Sequence, residues 1–589
     1  MNSVFNEDNR DPRLKKLDTL MRAFTPFQRM MLYGFAILLA LSAFVLLAQV
    51  NNLISVEIPA QGGTFTEGAV GTPRFVNPLL AASQTDHDLT TLVYSGLLRE
   101  EKEGTFTPDL AESVEISPDG MTYTFHLKKD LSFHDGTPLS AEDVLFTVSL
   151  AQNPEAKSTR RADWEGVSVK ASDENTIVFT LPHAYAPFLE NATMGILPKH
   201  LWESVPVQEF PFSPLNTHPV GSGPYMVHDV TFDTTGAPTE YELAPFDDFA
   251  LGEANITRIT YRIFANEDAL LAAFDGGDID SFVSSSPKEL PRTAEDSARL
   301  IRIPLSRVFG IFLNQNRAPV LASASVREAL DAAVDKQAII DTVLGGYGSV
   351  LDGPIPPGLF TDAASSTEAS STPETDRAQE ARDILARGGW KFQPAASSTA
   401  SGEGVWTKDK TTLSITLATA DTEELIATAH AVALAWKAAG IQTETQVYPL
   451  QEFNSTILRP RAYDAVLFGE VVGRSLDLYA FWHSSQRNDP GLNLSLYTNA
   501  SADQALEDAR TETDPIKRQE SYQDFLDAVG KDMPAVFLYS PDIVYLVPKH
   551  LQGIDVGTVT TPSERFLDVY RWYRDTERVW DIFEPSTRN

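Results

Sequence analysis

Residues Pro108 to Leu150, PDLAESVEISPDGMTYTFHLKKDLSFHDGTPLSAEDVLFTVSL, decide the fold of this chain. Within them, Thr122–Leu127 (TYTFHL) alternates polar and apolar side chains, which is typical of a β-strand with one buried face. Turn-forming residues bracket this strand, at Ser117–Gly120 (SPDG) and at His134–Pro138 (HDGTP). The apolar residues of Leu131–His134 predict a second strand that pairs nearby.

A helix is predicted to begin directly after these strands. Ser140 and Asp143 have the spacing of a capping box, in which the side chain of each residue accepts the backbone N–H of the other. Apolar Val144, Leu145 and Val148 follow and would face a core. The stretch is therefore an α+β unit, and its periodicity alone names no function.

The strings PDLAES, SPDG with TYTFHL, FHDGTPL and AEDVLFT, in this order and spacing, resemble the signature region of the extracellular solute-binding proteins of family 5. These are the peptide-binding and related receptors of ABC importers. The resemblance covers roughly residues 60 to 550. Other stretches similar to the family are Gln61–Gly68, Leu92–Arg99, Pro198–Trp202, His218–Tyr225, Val326–Gly348 and Asp352–Pro357.

Length, charge and composition agree with an exported receptor. The 589 residues are too many for one core and predict two or three domains. A net charge of −34 argues against nucleic acid as a partner, because phosphate binding needs clustered Lys and Arg. The chain has no cysteine, which excludes disulfides, thiolate metal sites and a lipid-modified N-terminal cysteine.

Residues Met30–Val50 carry no charge and, as a helix, would be about 30 Å long, enough to cross a bilayer. After this run no Lys or Arg occurs until Arg74, so the positive-inside rule predicts export of everything after about residue 51. We expect an uncleaved anchor; the alternative is a cleaved signal peptide. The basic residues that precede the run are Arg10, Arg13, Lys15, Lys16, Arg22 and Arg29.

The resemblance implies an α/β fold of the periplasmic-binding-protein-like type II, with two lobes, an extra subdomain and a hinge that closes the lobes around a ligand. Together with the N-terminal analysis, it predicts the following division: 1–29 cytoplasmic tail, 30–50 transmembrane helix, 51–61 tether, 62–98 lobe I (first part), 99–215 inserted subdomain II, 216–304 lobe I (second part), 305–540 lobe II, and 541–589 C-terminal return to lobe I and tail.

Lobe II carries the clearest periodic patterns. Ser325–Glu328 has the spacing of a second capping box, and the helix that it opens is predicted to end at Gly345-Gly346. Leu413–Ala418, Glu424–Ala439 and Ile441–Tyr448 alternate as strand, helix and strand. This order predicts a parallel βαβ unit with a right-handed crossover.

Two runs rich in Ser, Thr and Ala, Asp362–Thr375 and Pro394–Gly404, interrupt lobe II. Their composition cannot bury enough apolar surface to order itself, so we interpret them as surface insertions. Glycosylated stalks are the alternative.

No enzyme signature is present. The chain lacks a G-x-S-x-G elbow, an H-E-x-x-H zinc helix, a phosphate-binding loop and an EF-hand loop. We therefore expect no catalysis, no cofactor and no metal. His126 and His134 could share a metal across the predicted hairpin, but two solvated histidines are the simpler interpretation.

The best ligand candidates follow the strand of Tyr463–Gly469, where a loop presents charged and aromatic side chains together. In peptide-binding relatives, an aspartate at this place pairs with the ligand's α-ammonium, and the resemblance gives this role to Asp477. This chain departs from the family, which often has an acid-Pro-acid pattern here. The alternative is that Asp477 only caps the helix Leu478–Trp482.

Five further residues are candidates for the ligand site. Arg474 would bind a ligand carboxylate or pair with Glu470, and the sequence does not separate these roles. The aromatic candidates would line the pocket or belong to the core; they are Tyr479, Phe481, Trp482 and Tyr497.

These observations predict a membrane-anchored extracytoplasmic receptor that captures peptides and delivers them to an ABC permease and its ATPase. We expect a monomer whose membrane contact is its N-terminal helix. The alternatives are a receptor of the same fold for another solute, such as a nickel chelate or a sugar, and a sensor or chaperone without transport.

Overall fold

The structure is a computed structural model that describes residues 23–101, 104–284, 290, 298–359, 374–394 and 404–580. The chain divides into two compact units, Met1–Ala60 with Arg574–Asn589, and Gln61–Tyr573. Almost all of the two predicted Ser/Thr/Ala-rich insertions and most of the predicted cytoplasmic tail lie outside the described residues.

The strands of the described chain, in order, are β1 (Ser55–Ala60), β2 (Thr64–Val70), β3 (Leu98–Glu100), β4 (Phe106–Pro108), β5 (Ala111–Ile116), β6 (Thr122–Leu127), β7 (Ser168–Asp173), β8 (Thr176–Thr180), β9 (Tyr225–Phe232), β10 (Pro238–Pro245), β11 (Arg258–Phe264), β12 (Ser281–Ser284), β13 (Ala298–Pro304), β14 (Arg307–Leu313), β15 (Gly348–Val350), β16 (Lys391–Pro394), β17 (Gly404–Lys408), β18 (Thr411–Thr412), β19 (Ser414–Ala420), β20 (Gln442–Tyr448), β21 (Ala465–Val471), β22 (Ala535–Pro548) and β23 (Asp575–Trp580).

The α-helices are α1 (Pro26–Ile54), α2 (Gln84–Val93), α3 (Ala141–Gln152), α4 (Phe188–Asn191), α5 (Lys199–Trp202), α6 (Glu267–Gly276), α7 (Ala324–Ala332), α8 (Lys336–Val343), α9 (Glu374–Arg387), α10 (Glu423–Ala438), α11 (Leu450–Phe453), α12 (Tyr479–Trp482), α13 (Ala500–Thr511) and α14 (Pro515–Asp532).

The described part of the first unit is one helix and a two-stranded sheet. Helix α1 has 29 residues, none of them buried, and is long and apolar enough to cross a membrane. The predicted tether, residues 51–61, instead continues the helix to Ile54 and then forms β1, which pairs antiparallel with β23. Charge supports this pairing, because Arg578 lies directly opposite Glu57 with 3.0 Å between Nε and Oε1.

The second unit is built on a 12-stranded sheet, whose main path is β20-β19-β21-β14-β22-β12-β2-β11-β10-β9. Strand β22 stands at the middle of this path. Its first half pairs with β14 and β15, and its second half pairs with β12 and β13. The strands on one side of β22 form lobe II and those on the other side form lobe I, so β22 belongs to both lobes.

A second connection crosses between the lobes beside β22. Residues Leu305 and Ser306 join β13 to β14, and their backbone is fixed on both sides. The carbonyl of Leu305 accepts the hydroxyl of Ser540 at 2.7 Å, and the N–H of Ser306 donates to the carbonyl of Val559 at 2.7 Å. Two adjacent backbone segments of this kind form a hinge that permits rotation and resists separation.

Each part of the second unit has its own apolar core. The lobe II core runs from Val308 to Tyr539 and the subdomain core from Leu79 to Phe210. Lobe I has two smaller cores, which combine residues of β2, β9–β13 and the second half of β22. The predicted division into two lobes and an inserted subdomain agrees with these cores, and the individual boundaries stay predictions.

The stretch that opens the subdomain folds largely as the sequence predicts. Tyr123, Phe125 and Leu127 of β6 are buried, and β6 lies inside the antiparallel sheet β5-β6-β8-β7. The capping box of α3 is present, because Asp143 accepts the N–H of Ser140 at 2.9 Å. The parallel pairing of β19 with β20 around α10 confirms the predicted βαβ unit.

Two local predictions are wrong. Residues Leu131–His134 form no strand, since Ser132 makes only an isolated bridge with Pro138. The N-cap of α7 is Ser323 and not Ser325, and this helix ends at Ala332 so that the predicted single helix is two, α7 and α8. Asp335 caps α8, because its side chain accepts the N–H of Ala338. The sequence does not reveal this second helix start, since the apolar stripe continues across it.

A buried ion network stabilises lobe I. The guanidinium of Arg565 contacts Glu67 at 2.8 Å and Asp88 at 2.7 Å, and none of these side chains is more than 1% exposed. Tyr545 donates to Glu67 and Tyr261 donates to Asp88, each at 2.9 Å. Burial raises the pKa of Glu67 while Arg565 opposes the shift. Removing one member of such a network leaves uncompensated buried charge, which typically costs about 3–5 kcal/mol.

Candidate functional site

A cavity of about 520 Å³ lies between the lobes, beside the hinge. Lobe I contributes Gly68–Val70, at the carboxyl end of β2, and Val283-Ser284, at the carboxyl end of β12. Lobe II contributes Phe309 on β14 and the first two turns of α10, including Ala427. Crevices at the carboxyl ends of strands are where open α/β sheets bind ligands, and the volume suits a small molecule.

The charged side chains of this cavity are mainly acidic. Glu423 and Glu424 begin α10, and Glu424 accepts the hydroxyl of Tyr539 at 2.8 Å. Burial raises the pKa of Glu424, and the nearby Arg307 partly opposes this shift. Burial also raises the pKa of Asp542. These carboxyl groups can bind cationic or hydrogen-bond-donating parts of a ligand.

Near the end of β21, the ring of Phe309 packs directly against Gly469. Phe309 stacks on Tyr539 with 5.1 Å between ring centroids, and its ring also covers Gly469 in the paired strand. A Cβ at position 469 would lie 2.8 Å from the Phe309 ring, so only glycine fits there. This glycine lies inside β21 and not, as the sequence predicts, at its end.

Asp477 lies in the loop of residues 473–477, where lobe II meets the inserted subdomain. The hydroxyl of Tyr185 donates to Oδ2 at 3.0 Å, and Arg510 contacts the same oxygen at 3.1 Å. The other oxygen, Oδ1, accepts the N–H of Tyr479 at 3.3 Å, near the start of α12. Asp477 therefore already has a cation, a hydroxyl and a helix N–H as partners, and its predicted contact with a ligand ammonium stays a prediction.

Arg474, in the same loop, bridges the lobes and does not pair with Glu470. Its Nη2 lies 2.7 Å from Glu564 and its Nε 3.2 Å from Glu100, while Nη1 donates to the carbonyl of Glu101. The side chain is only 4% exposed. Burial, followed by repulsion from Glu564, raises the pKa of Glu100 to about 8. Arg474 lines neither the interlobe cavity nor a separate cavity that lies within lobe II. Its role toward a ligand carboxylate stays a prediction.

The structure separates the four aromatic candidates. Tyr479 lies under the guanidinium of Arg510, at 4.5 Å, beside Asp477. Phe481 is half-buried and lines a separate cavity within lobe II. Trp482 and Tyr497 are buried in the lobe II core and line neither cavity. Their spacing reflects core packing, so their ligand contacts stay predictions that this arrangement does not favour.

The two histidines of the predicted hairpin have different surroundings. His126 is 3.8 Å from Glu115 at the surface. His134 is half-buried and hydrogen-bonded to the backbone of Gly221 and Gly223, and desolvation lowers its pKa to about 4. Among the described residues, no group of three or more His, Cys, Asp or Glu side chains could hold a metal.

The sequence does not indicate which residues hold the loop of residues 473–477 in place. They come from distant segments: Tyr185 and Glu190 from the subdomain, Glu564 from lobe I, and Arg510 from the end of α13. No local pattern marks them, since an isolated Arg, Glu or Tyr is unremarkable in its own segment. Only Gly469 and the acidic start of α10 carry a signal that could have been found.

The comparisons with known proteins agree with this architecture. The model of the bacterial extracellular solute-binding proteins, family 5 Middle, matches residues 105–493. The oligopeptide-binding protein AppA of Bacillus subtilis is 27% identical and aligns over 87% of this chain and 92% of its own length. The crystal structure of AppA from B. subtilis in complex with a nonapeptide superposes with a TM-score of 0.63 at 26% identity, over 88% of this chain and all of that one.

A second relative, solved with a different ligand, has the same fold. NikZ of Campylobacter jejuni, solved in complex with Ni(L-His), has a TM-score of 0.63 at 24% identity and covers 87% of this chain and 99% of its own. Its likeness supports the fold alone. The predicted two-lobed fold of the periplasmic-binding-protein type II is confirmed.

The burial of Glu100 beside Glu564 predicts that the lobes separate more readily as the pH rises. With its pKa raised to about 8 in the closed contact, Glu100 keeps a proton that it loses when exposed to solvent. Closure is therefore most favourable below the ordinary carboxyl pKa and weakens as the pH rises through about 8. We expect Glu100→Gln to flatten this dependence.

Single-molecule energy transfer measures this effect directly, because the chain has no cysteine and two introduced cysteines would be unique. Dyes at the exposed positions of Glu112→Cys and Glu444→Cys report on the subdomain and lobe II. The exposed Glu115→Gln serves as the control variant. A closed fraction that is the same at pH 5 and pH 8 would contradict the role of Glu100.

Proposed function

Because this chain belongs to family 5 of the bacterial extracellular solute-binding proteins, we propose that it captures peptides outside the cytoplasm and delivers them to the permease of an ABC transporter. The observation that carries this proposal is the interlobe cavity beside a two-segment hinge, in a chain similar to a receptor solved with a nonapeptide. The relatives are binding proteins, and no catalytic step is part of the proposal.

The geometry supports a capture mechanism based on closure. The ligand enters between the lobes, contacts β2, β14 and α10, and the loop of residues 473–477 then meets the subdomain. A receptor for many peptides holds the parts that all peptides share, their backbone and their termini. Binding energy stabilises the closed arrangement over the open one, and the permease would recognise the closed form as a loaded receptor.

Helix α1 is proposed as an uncleaved membrane anchor. The end of this helix is tied to the C-terminal strand, because Trp580 donates to Asn51 at 2.9 Å and Arg578 donates to Asn52 at 3.0 Å. Cleavage after the apolar run would remove these two acceptors or leave them on a short, unanchored end. The anchor would keep the receptor near its permease, which raises the effective concentration of the receptor at the permease. We propose that the receptor acts as a monomer.

Native mass spectrometry of the purified full chain tests the capture of peptides. We expect the protein to release a set of peptides on activation, and the masses of these peptides would define the accepted lengths. Release of a metal chelate or a sugar instead would assign this receptor to a different solute. Release of hydrolysed products from an added intact peptide would contradict a receptor without catalysis.

Filling the interlobe cavity should abolish binding. Ala427→Trp places a large side chain into the cavity from α10, and we expect at least a tenfold loss of peptide affinity, about 1.4 kcal/mol, by isothermal titration calorimetry. Leu434→Trp on the exposed face of the same helix is the matched control and should bind as the unmodified chain does. Unchanged affinity of Ala427→Trp would place the peptide elsewhere.

Asp477 either binds the ammonium group of the ligand or only holds the contact with Tyr185 and Arg510. Comparing one peptide with and without an N-terminal acetyl group distinguishes these two roles. Both oxygens of Asp477 are already bonded, so we expect Asp477→Asn to weaken both peptides equally, by about threefold to tenfold, through loss of the contact with Tyr185 and Arg510. Asp508→Asn, exposed on the neighbouring helix α13, is the control. A loss confined to the free-amine peptide would instead support the ammonium contact predicted from the sequence.

The anchor makes a simple prediction about the mature protein. The intact mass of the chain isolated from membranes should include helix α1, and the protein should remain with the membrane after alkaline carbonate washing. A mature mass that begins after the apolar run, together with release into the soluble fraction, would show that the helix is a signal peptide.

A further inference from the structure

A second cavity, of about 660 Å³, lies within lobe II and shares no lining residue with the interlobe cavity. It is enclosed by α11, the end of β21 and the segment of residues 489–494. Most of its wall is apolar. The apolar residues that form this wall include Leu450, Phe453, Leu458, Phe468, Phe481 and Leu492.

One acid interrupts the apolar wall. Glu470 is the last but one residue of β21, and it faces the same side of the strand as Phe468 because side chains two apart share a face. The residue is 4% exposed, and both carboxylate oxygens are buried without a hydrogen-bond partner among the residues that the structure describes. A glutamate is almost never fully buried unless it is paired, so an unpaired one needs a physical explanation.

The nearest cations at this cavity are already engaged. Arg461 donates to the carbonyls of Leu458 and Gly491, at 2.6 and 2.7 Å, and Arg459 lies 3.7 Å from Asp489 at the exposed rim. Neither pairs with Glu470 in the described structure. Burial raises the pKa of Glu470 well above its ordinary range, so burial favours the neutral form of this acid.

The two cavities adjoin the same pair of strands. Arg307 of β14 lines the interlobe cavity and is directly opposite Val471 of β21, which lines the lobe II cavity. The two cavities therefore lie at the same end of one pair of strands, and our inference requires one group of the ligand to pass around the end of β21. The apolar wall would cover the carbon atoms of this group, and Glu470 would meet its polar end.

We propose that Glu470 is a specificity-determining residue that accepts an ammonium group of the captured ligand in the lobe II cavity. This inference rests on the proposed function. An ammonium group supplies both the charge and the N–H donors that a buried carboxylate lacks, and charge-assisted hydrogen bonds are about twice as strong as neutral ones. Burial favours the neutral acid and a neighbouring ammonium group favours the ionised one, so binding is expected to release the proton of Glu470 to solvent.

The test uses a panel of four peptides of one sequence. The peptides carry lysine or acetyl-lysine at one position, and each has a free or an acetylated N-terminus. Affinities for the full chain and for Glu470→Gln are measured by isothermal titration calorimetry, in two buffers with different ionisation enthalpies so that proton release is counted. Glu444→Gln, an exposed acid on β20 of the same lobe, is the control variant.

We expect the unmodified chain to prefer peptides that keep one particular ammonium group by at least tenfold and to release about one proton on binding them. The acetylation that abolishes this preference identifies its source, the N-terminus or the lysine side chain. Glu470→Gln should bind all four peptides alike and release no proton, with an unfolding temperature equal to or above that of the unmodified chain. Glu444→Gln should behave as the unmodified chain.

Two outcomes overturn the inference in distinguishable ways. If peptides bind with the same affinity whether or not they are acetylated, or if Glu470→Gln keeps the preference, the cavity holds only water, and the proposed function stands. If none of the peptides binds the unmodified chain, the proposed function fails and the assignment of Glu470 fails with it.

Discussion

Strand β22 is shared by the two lobes, and this continuity constrains the rest of the second unit. Because the strand pairs with β14 on one side of its middle and with β12 on the other, each lobe's sheet is completed by residues of the same segment. The lobes therefore cannot slide apart, and the crossing at Leu305-Ser306 limits their movement to rotation about two adjacent backbones. The interlobe cavity lies beside this axis, where a small rotation changes its width.

The charged side chains of lobe I, of the loop of residues 473–477 and of the lobe II cavity belong to two groups. Arg565, Arg474 and Asp477 have all found partners, so they stabilise lobe I and the contact of lobe II with its neighbours. Glu470 has none in the described structure. Paired charges of the first kind stabilise the fold, whereas an unsatisfied buried group such as Glu470 would favour a ligand that satisfies it, as we propose.

Most of the fold could be predicted from the sequence, but few of the contacts in the candidate site could. The alternation in β6, the capping box of α3 and the βαβ unit around α10 are determined by neighbouring residues, and all three were predictable. The cap of α7 depends on tertiary packing that overrides the local signal at Ser325. The partners of Asp477 and Arg474 come from segments far away in sequence, and Trp482 shows that an aromatic residue in the loop after a strand can belong to the core.

The ion network of lobe I has a consequence for the order in which the chain folds. Arg565 is 498 residues from Glu67 and 477 from Asp88, so this lobe lacks its central cation until nearly the whole chain has been synthesised. The cores of the subdomain and lobe II are each nearly continuous in sequence and can form while the chain is still emerging. Lobe I is thus completed last, because its strand β2 and helix α2 acquire the cation that pairs with Glu67 and Asp88 only when Arg565 has been made.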